Sequence, residues 1–511
     1  MTSGLATALT SERVNRAVVL AAWQALSSQR GDGSWVSDPD PRITETALVA
    51  LSLARAAHPG APDATTAALG WLRGAEPQAH HPAALAVETA LRSLALGDGA
   101  PVDLRHPSFA QPAHAARARL LEVVALHTGR ETVGGAPARL RASLNDGWAH
   151  TGRLKRWTRV ELWSAHALVE AHFDNGERAR QAAHRIAGEQ SPAGDFFGNP
   201  VSTGLALLAL RAGDPEGAAA RRCTEYLLNS QFPDGTWRFA SSDVWDTTLM
   251  MRVFRGEPVF DRHALPRAVA FLVAAQNPDG GWPFRARVES DNDTTSAALI
   301  ALRNTAVPAK TLGGGLNHLA EQRLADGLWR TWQSAGDPPV EDVVAHVVTA
   351  LDLHADRHVI ARDEARGWLE ERYRRDGRWH ASWYHGLPYA TAEVLAALAP
   401  QGDDPHDAAL ALAETQNPDG GWPAEAGETS SPAATGLALA ALETGGVLDR
   451  ERWAAGLDHL TTSQRPDGTW PGQPMMYGPR PLLTHYQTHT QAFAAMGLFA
   501  GRRYLRTQGD I

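Results

Sequence analysis

QNPDGGW, Gln276 to Trp282, recurs letter for letter at Gln416 to Trp422. The same glutamine, Asp-Gly and tryptophan return as QRGDGSW (Gln29 to Trp35), QFPDGTW (Gln231 to Trp237) and QRPDGTW (Gln464 to Trp470), with degenerate copies around Trp148, Trp329 and Trp379. A phrase repeated in this way marks an architecture assembled from one supersecondary unit. Clear copies follow an amphipathic run such as RAVAFLVAAQ and precede a more apolar one such as TTSAALIALR, so the unit reads helix, turn, helix. Asp-Gly supplies the turn, because glycine accepts positive φ and aspartate can bond the backbone two residues on. The repeated Gln and Trp are therefore read as pins between consecutive helices rather than as chemistry.

The second helix of each unit is apolar on nearly all sides: TETALVALSLA, TGLALLALR, TTSAALIALR, TAEVLAALA and ATGLALAAL. Such a helix must be covered on most sides. An inner ring of these helices inside an outer ring of amphipathic ones meets the requirement, which predicts an all-α protein built of α/α barrels. Threonine or serine at the start of several inner helices is expected to cap them. Clear repeats are dense from Gln231 onward and sparse between Trp35 and Gln231, which points to two barrels of unequal regularity.

A chain of 511 residues with 43% hydrophobic and 21% charged residues has material for two sizeable cores. Its formal net charge of -9, without a stripe of Lys and Arg, argues against nucleic acid as a partner. Cys223 is the only cysteine, so neither an internal disulfide nor a thiolate metal cluster can form, and a reducing cytoplasm is expected. No stretch has the length of a membrane span, and the first residues carry no export signal. The sequence does not specify an oligomeric state.

The repeats resemble the QW motif of the squalene-hopene cyclase superfamily of class II terpene cyclases, and further segments extend the likeness. SSDVWDTTL (Ser241 to Leu249) is similar to the family's PVWDT segment. GWPFRARVESDNDTTSAALIAL stands where the family carries its DxDD acid motif, DPPVEDVVAHV (Asp337 to Val347) where it carries an acid-activating histidine, and DGRWHASWYHGLPYATAEVL where an aromatic-rich segment follows. By this resemblance one barrel is inserted near the start of the other, the βγ arrangement, with the active site between them. Residues 1–24 and 229–511 would form the catalytic β-like barrel and residues 25–228 the inserted γ-like barrel.

The resemblance implies a site, residue by residue. Asp291-Asn292-Asp293-Thr294-Thr295 takes the DxDD place, with Asp293 as proton donor, Asp291 as the neighbouring carboxylate and Thr294 replacing the last aspartate, as in the DxDTT variant of drimane-type cyclases. A carboxyl group that protonates an alkene must hold its proton at rest and release it to a very weak base. Burial and a second carboxylate do the first, and hydrogen bonds to the developing anion do the second. His346 matches the histidine that bonds the acid, and Asp342, one helical turn earlier, is expected to orient it. Asp246 completes the catalytic set. Trp245, Trp383, Tyr389 and, from the inserted domain, Trp157 match aromatic faces that would stabilise carbocations. Lys155, Arg156 and Arg159 would bind a diphosphate. A diphosphate implies Mg2+, for which Asp38, Asp40 and Glu45 are candidate ligands.

Asp403-Asp404-Pro405-His406-Asp407 fits the DDxxD pattern of ionising terpene synthases but falls in a link containing Pro and Gly, and is read as a surface loop. The pairs His354/His358 and His485/His489 lack the HExxH glutamate, so zinc is not expected. Aromatic residues make up 7% of the chain, and Thr484, His485 and Tyr486 stand near the C-terminus where hopene-type cyclases present phenylalanines. Both features favour a small prenyl diphosphate. The expected reaction is protonation-initiated cyclisation of farnesyl diphosphate to a bicyclic drimane-type diphosphate, with the diphosphate retained. Copalyl-type cyclisation of geranylgeranyl diphosphate is the alternative enzyme, and a non-catalytic prenyl-binding toroid the alternative from another class.

Overall fold

The computed structural model describes residues 2–149, 151, 154–332, 338–354, 358–399 and 406–508. The DDxxD match therefore lies largely outside the described residues. The chain divides into two compact units, Met1–Ser37 with Ser242–Met476 and His485–Ile511, and Asp38–Ser241 with Tyr477–Thr484. Apart from two short two-stranded ribbons, the described regular structure is helical.

In the first unit, the helices Asp243–Phe254, Asn292–Leu302, Glu341–His354, Leu387–Leu398, Pro432–Thr444 and Gln487–Thr507 pack each against the next, and the last returns to the first. This is the inner ring. Thr2–Ser27, Leu265–Ala275, Ala309–Glu321, Val359–Asp376, His406–Ala413 and Arg450–Ser463 cover it from outside. In the second unit the ring is closed by Ile43–Leu53, Pro82–Leu96, Pro112–Thr128, Arg156–His172 and Pro200–Gly213. Each unit has its own apolar core. Both are α/α barrels, as the apolar inner helices require.

The repeated phrase is the fastener. Gln276 Nε2 donates to Gly280 O at 2.8 Å within its own turn and to Thr311 O at 2.8 Å in the next outer helix. Gln416 does the same to Gly420 O at 2.8 Å and Arg452 O at 3.0 Å. The indole N–H of Trp282 reaches back to Leu272 O at 2.7 Å, and that of Trp422 to Leu412 O at 3.0 Å, satisfying carbonyls that the end of an outer helix leaves without partners. Asp279 Oδ1 accepts from Gly281 N at 3.0 Å, the local bond expected of a turn aspartate. Gly280 has φ +84°, and a Cβ there would lie 2.5 Å from Gly314 O, so the position needs glycine for conformation and for close approach.

Two expectations are corrected. The cap expectation holds for serine and not for threonine: Ser431 caps its inner helix and Asp291 caps another, while Thr295 and Thr435 accept the backbone N–H of Trp282 and Trp422, both at 2.9 Å. The unit boundaries fall after Ser37 and after Ser241 rather than after residues 24 and 228. Each turn stays with the helices it pins. Gln29 bonds Ala264 O at 3.0 Å and Trp35 stacks on Phe260 at 5.5 Å, which keeps the first turn in the first unit. Gln231 bonds Ala64 O at 2.9 Å, which keeps QFPDGTW in the second.

Candidate active site

Helix Asn292–Leu302 starts at Asp291, whose Oδ1 accepts from Thr294 N at 2.6 Å. The cap leaves Asp293 in the first helical turn, where the helix field favours an anion. The whole turn is enclosed: Asp291 is 2% exposed and Asp293 4%. From helix Glu341–His354, His346 places Nδ1 2.6 Å from Asp293 Oδ1. The acid and the histidine expected from sequence are thus brought together.

The other side of the imidazole holds a group that the sequence reading missed. Nε2 of His346 lies 3.1 Å from Glu393 Oε2, an ion pair without hydrogen-bond alignment, and Arg252 Nη2 lies 2.7 Å from the same oxygen. Glu393 is the one charge in the apolar run TAEVLAALA, and that anomaly was its available signal. Burial lowers the affinity of His346 for a proton, but Asp293 and Glu393 outweigh it and raise its pKa to about 10. Burial likewise works against ionised Glu393, yet Arg252 and His346 hold its pKa down at about 2.

Two more carboxyl groups are buried beside the pair of Asp293 and His346. Burial and the charge of Asp293 raise the pKa of Asp291 well above the carboxylate range, and its Oδ2 has no hydrogen-bond partner among the described residues. Asp342 is raised by the same two causes. Its expected part as orienter of His346 is corrected, because its oxygens accept from Val343 N at 2.9 Å and Ser382 N at 2.8 Å. It ties the histidine helix to the aromatic segment instead.

Aromatic rings line this region. Trp245 and Tyr389 stand 5.9 and 6.4 Å from the His346 ring, centroid to centroid. Trp245 Nε1 donates to Tyr384 Oη at 2.8 Å, Tyr384 Oη lies 3.1 Å from His489 Nδ1, and His489 Nε2 lies 3.0 Å from Asp246 Oδ1. Asp246 also accepts from Ser242 Oγ at 2.7 Å and Thr488 Oγ1 at 2.8 Å. It therefore anchors the indole through Tyr384 and His489, two residues that sequence reasoning did not assign. Trp383 is half-buried, donates to Thr331 Oγ1 at 3.1 Å and packs edge-on against Trp332 at 5.4 Å.

The remaining predicted residues belong to the second unit. Glu189 pairs with Arg156 at 2.8 Å and with Arg159 at 3.0 Å. Lys155 Nζ stands 4.8 Å from the centre of the Trp157 ring. Glu45 is fully buried and paired with Arg42, which also bonds the Gly478 carbonyl, so its carboxylate serves a structural cluster. Among the described residues no group of three carboxylate, imidazole or thiolate side chains could hold a metal ion, and Asp38, Asp40 and Glu45 do not form one. These residues do not fit a resident Mg2+. His485 bonds Thr490 Oγ1 at 3.1 Å while His489 serves the Asp246 network. No described helix is long and apolar enough to cross a membrane.

A buried aspartate paired with a charged histidine, at the start of an inner helix of an α/α barrel and beside aromatic rings, defines a class of protein built to handle a proton in an apolar setting. The comparisons agree with that class. Residues 331–503 match the squalene-hopene cyclase C-terminal domain. Over 336 residues the chain is 32% identical to drimenyl diphosphate synthase of Streptantibioticus cattleyicolor, covering 60% of this chain and 62% of that protein. Over 368 residues it is 30% identical to drimenyl diphosphate synthase of Streptomyces showdoensis, covering 67% of each. The first of these alignments thus spans less than two thirds of the relative. Among solved structures, ent-copalyl diphosphate synthase from Streptomyces platensis matches in fold, with TM-score 0.65 at 19% identity over 96% of this chain and 99% of that one. The chain belongs to the squalene-hopene cyclase superfamily of class II terpene cyclases.

Proposed function

We propose that this protein cyclises farnesyl diphosphate to a bicyclic drimane-type diphosphate, starting by protonation and keeping the diphosphate. The observation that carries the reading is the 2.6 Å contact between the buried side chains of Asp293 (Oδ1) and His346 (Nδ1). The imidazolium N–H donates to Oδ1, so the transferable proton sits on Oδ2 of Asp293. As that proton leaves, the new carboxylate forms against a cation and a helix start already in place, which costs no reorganisation.

The proton adds to the terminal alkene of the prenyl chain and leaves a tertiary cation. Two successive alkene attacks form two C–C bonds, and loss of a proton from the bicyclic cation restores an alkene. The C–O bond to the diphosphate stays intact, and the reaction is an isomerisation. Trp245, Tyr389 and Trp383 are assigned the passing positive charge, because aromatic faces stabilise cations without a nucleophile to trap them. Thr294 fixes the Asp291 cap, and Asp342 and Asp246 are positioning residues. Lys155, Arg156 and Arg159 are proposed for the diphosphate, and Trp157 for the same region. Mg2+ is proposed only as the counter-ion that a diphosphate carries, and no step depends on it. The lone cysteine suits a reducing cytoplasm.

Two relatives named drimenyl diphosphate synthase support the C15 substrate. The test incubates purified protein with farnesyl or geranylgeranyl diphosphate and Mg2+, followed by phosphatase and extraction. A bicyclic C15 alcohol that is detected only after phosphatase supports the proposal. A C20 product alone replaces the substrate, and no cyclic product from either overturns the enzyme reading.

A further inference from the structure

The acid faces a difficulty that its histidine alone does not solve. A neutral imidazole 2.6 Å from a carboxyl group would take the proton for itself, since imidazole is the stronger base, and the pair would rest as carboxylate and imidazolium. Asp293 keeps a proton of its own only if His346 is already charged. In that state Asp293 is neutral and no longer supports the charge.

The groups facing the imidazole are Asp293, Asp342, Glu393, Trp245 and Tyr389, with Asp291 beside Asp293. Burial drives Asp291 and Asp342 toward their neutral forms. Asp342, raised only to about 7, is divided between its two forms near neutrality, whereas Glu393, held at about 2, is an anion throughout, 2% exposed and 3.1 Å from Nε2. Arg252, on the inner helix Asp243–Phe254 across the ring, keeps it ionised from 2.7 Å. Arg252 also lines a cavity of about 190 Å3 with Ala392 and Ala396, and its side chain is 24% exposed. The guanidinium can therefore be hydrated on one side while the carboxylate is not.

We propose that Glu393, secured by Arg252, is a positioning residue that keeps His346 cationic while Asp293 carries the proton to be transferred. This rests on Asp293 being the proton donor. The strength of the acid is then set by a third residue that touches neither the alkene nor Asp293.

Glu393→Gln keeps the shape of the side chain and can still accept from Arg252. With farnesyl diphosphate as probe, kcat is expected to fall about tenfold or more with KM within about twofold, and the high-pH limb of the kcat profile to move down by about one unit or more, the scale of losing one adjacent charge. Glu393→Asp should recover part of kcat and return the limb toward wild type. Thermal melts would show whether each variant is folded, and Arg252→Lys, which retains the cation, supplies a second reading if Glu393→Gln does not fold: its limb should shift less than one unit. A folded Glu393→Gln enzyme with wild-type kcat and pH limb overturns the proposal. So does an Arg252→Lys limb displaced upward. If Asp293→Asn turns over normally, the donor reading itself falls, whatever Glu393 does.

Discussion

Glu393 Oε2 and Asp293 Oδ1 lie against opposite nitrogens of one imidazole, 3.1 and 2.6 Å from His346. The two carboxylates compete for the same charge. One is pinned as an anion by Arg252, which leaves the other able to alternate between acid and base within a turnover.

The imidazolium should set the alkaline limit of activity. Its pKa is raised to about 10, so the charge is present below that value and lost as pH rises through it. With Asp293 protonated, only Glu393 supports the imidazolium, so we expect kcat to hold through neutral pH and to decline short of pH 10, and His346→Phe to remove that limb along with most of the activity. A kcat profile that falls near pH 6.5, the ordinary histidine value, would contradict the assignment.

Tyr384 joins the Trp245 indole to His489 and Asp246. Tyr384→Phe removes the link without a large change in volume. We expect a stability loss of about 1 kcal/mol in denaturant titration, together with a greater share of partly cyclised products by gas chromatography. Unchanged product proportions would show that the indole needs no such tether.

The fasteners should matter for stability and not for chemistry. Gly280→Ala must adopt φ +84° and place a methyl group 2.5 Å from Gly314 O. A loss of about 1–3 kcal/mol is expected, with kcat per folded molecule unchanged. Trp282→Ala, which empties a fully buried site, should cost about 3–5 kcal/mol. Equilibrium unfolding and active-site titration separate the two effects.

For the diphosphate, Lys155→Ala is expected to raise KM for farnesyl diphosphate about tenfold, the scale of one charge-assisted contact, with a smaller effect on kcat. Equal KM values in the two proteins would remove Lys155 from substrate binding.

What could be read from sequence followed the reach of each interaction. The turns are local: Gln276, Asp279, Gly280 and Trp282 bond within a few residues or one helix away, so their physics repeats as a visible phrase. A further fastener is hidden in the sequence because Phe196 stands where the tryptophan would be, although Gln190 still bonds Gly194 O and Ala219 O, each at 2.9 Å. The pairing of Asp293 with His346 crosses from one inner helix to the next and was legible only through family resemblance. Asp246 and His489 lie on the first and last helices of the ring, and only its closure brings them to 3.0 Å. Glu393 had a local signal, a charge in an apolar helix, but its partners come from two other helices. Of the metal candidates, Glu45 is taken for a related reason: Arg42, three residues before it, claims that carboxylate in the fold.

The central claim is that Asp293 gives a solvent-exchangeable proton to the substrate. Wild-type protein turning over farnesyl diphosphate in D2O, with the dephosphorylated product analysed by mass spectrometry and NMR, should yield a bicyclic alcohol carrying one deuterium in the ring methylene derived from the CH carbon of the terminal alkene. Folded Asp293→Asn should give that product at a rate lower by roughly a hundred- to ten-thousand-fold. Cyclic product free of deuterium, or an Asp293→Asn enzyme that labels and cyclises at the wild-type rate, would contradict it.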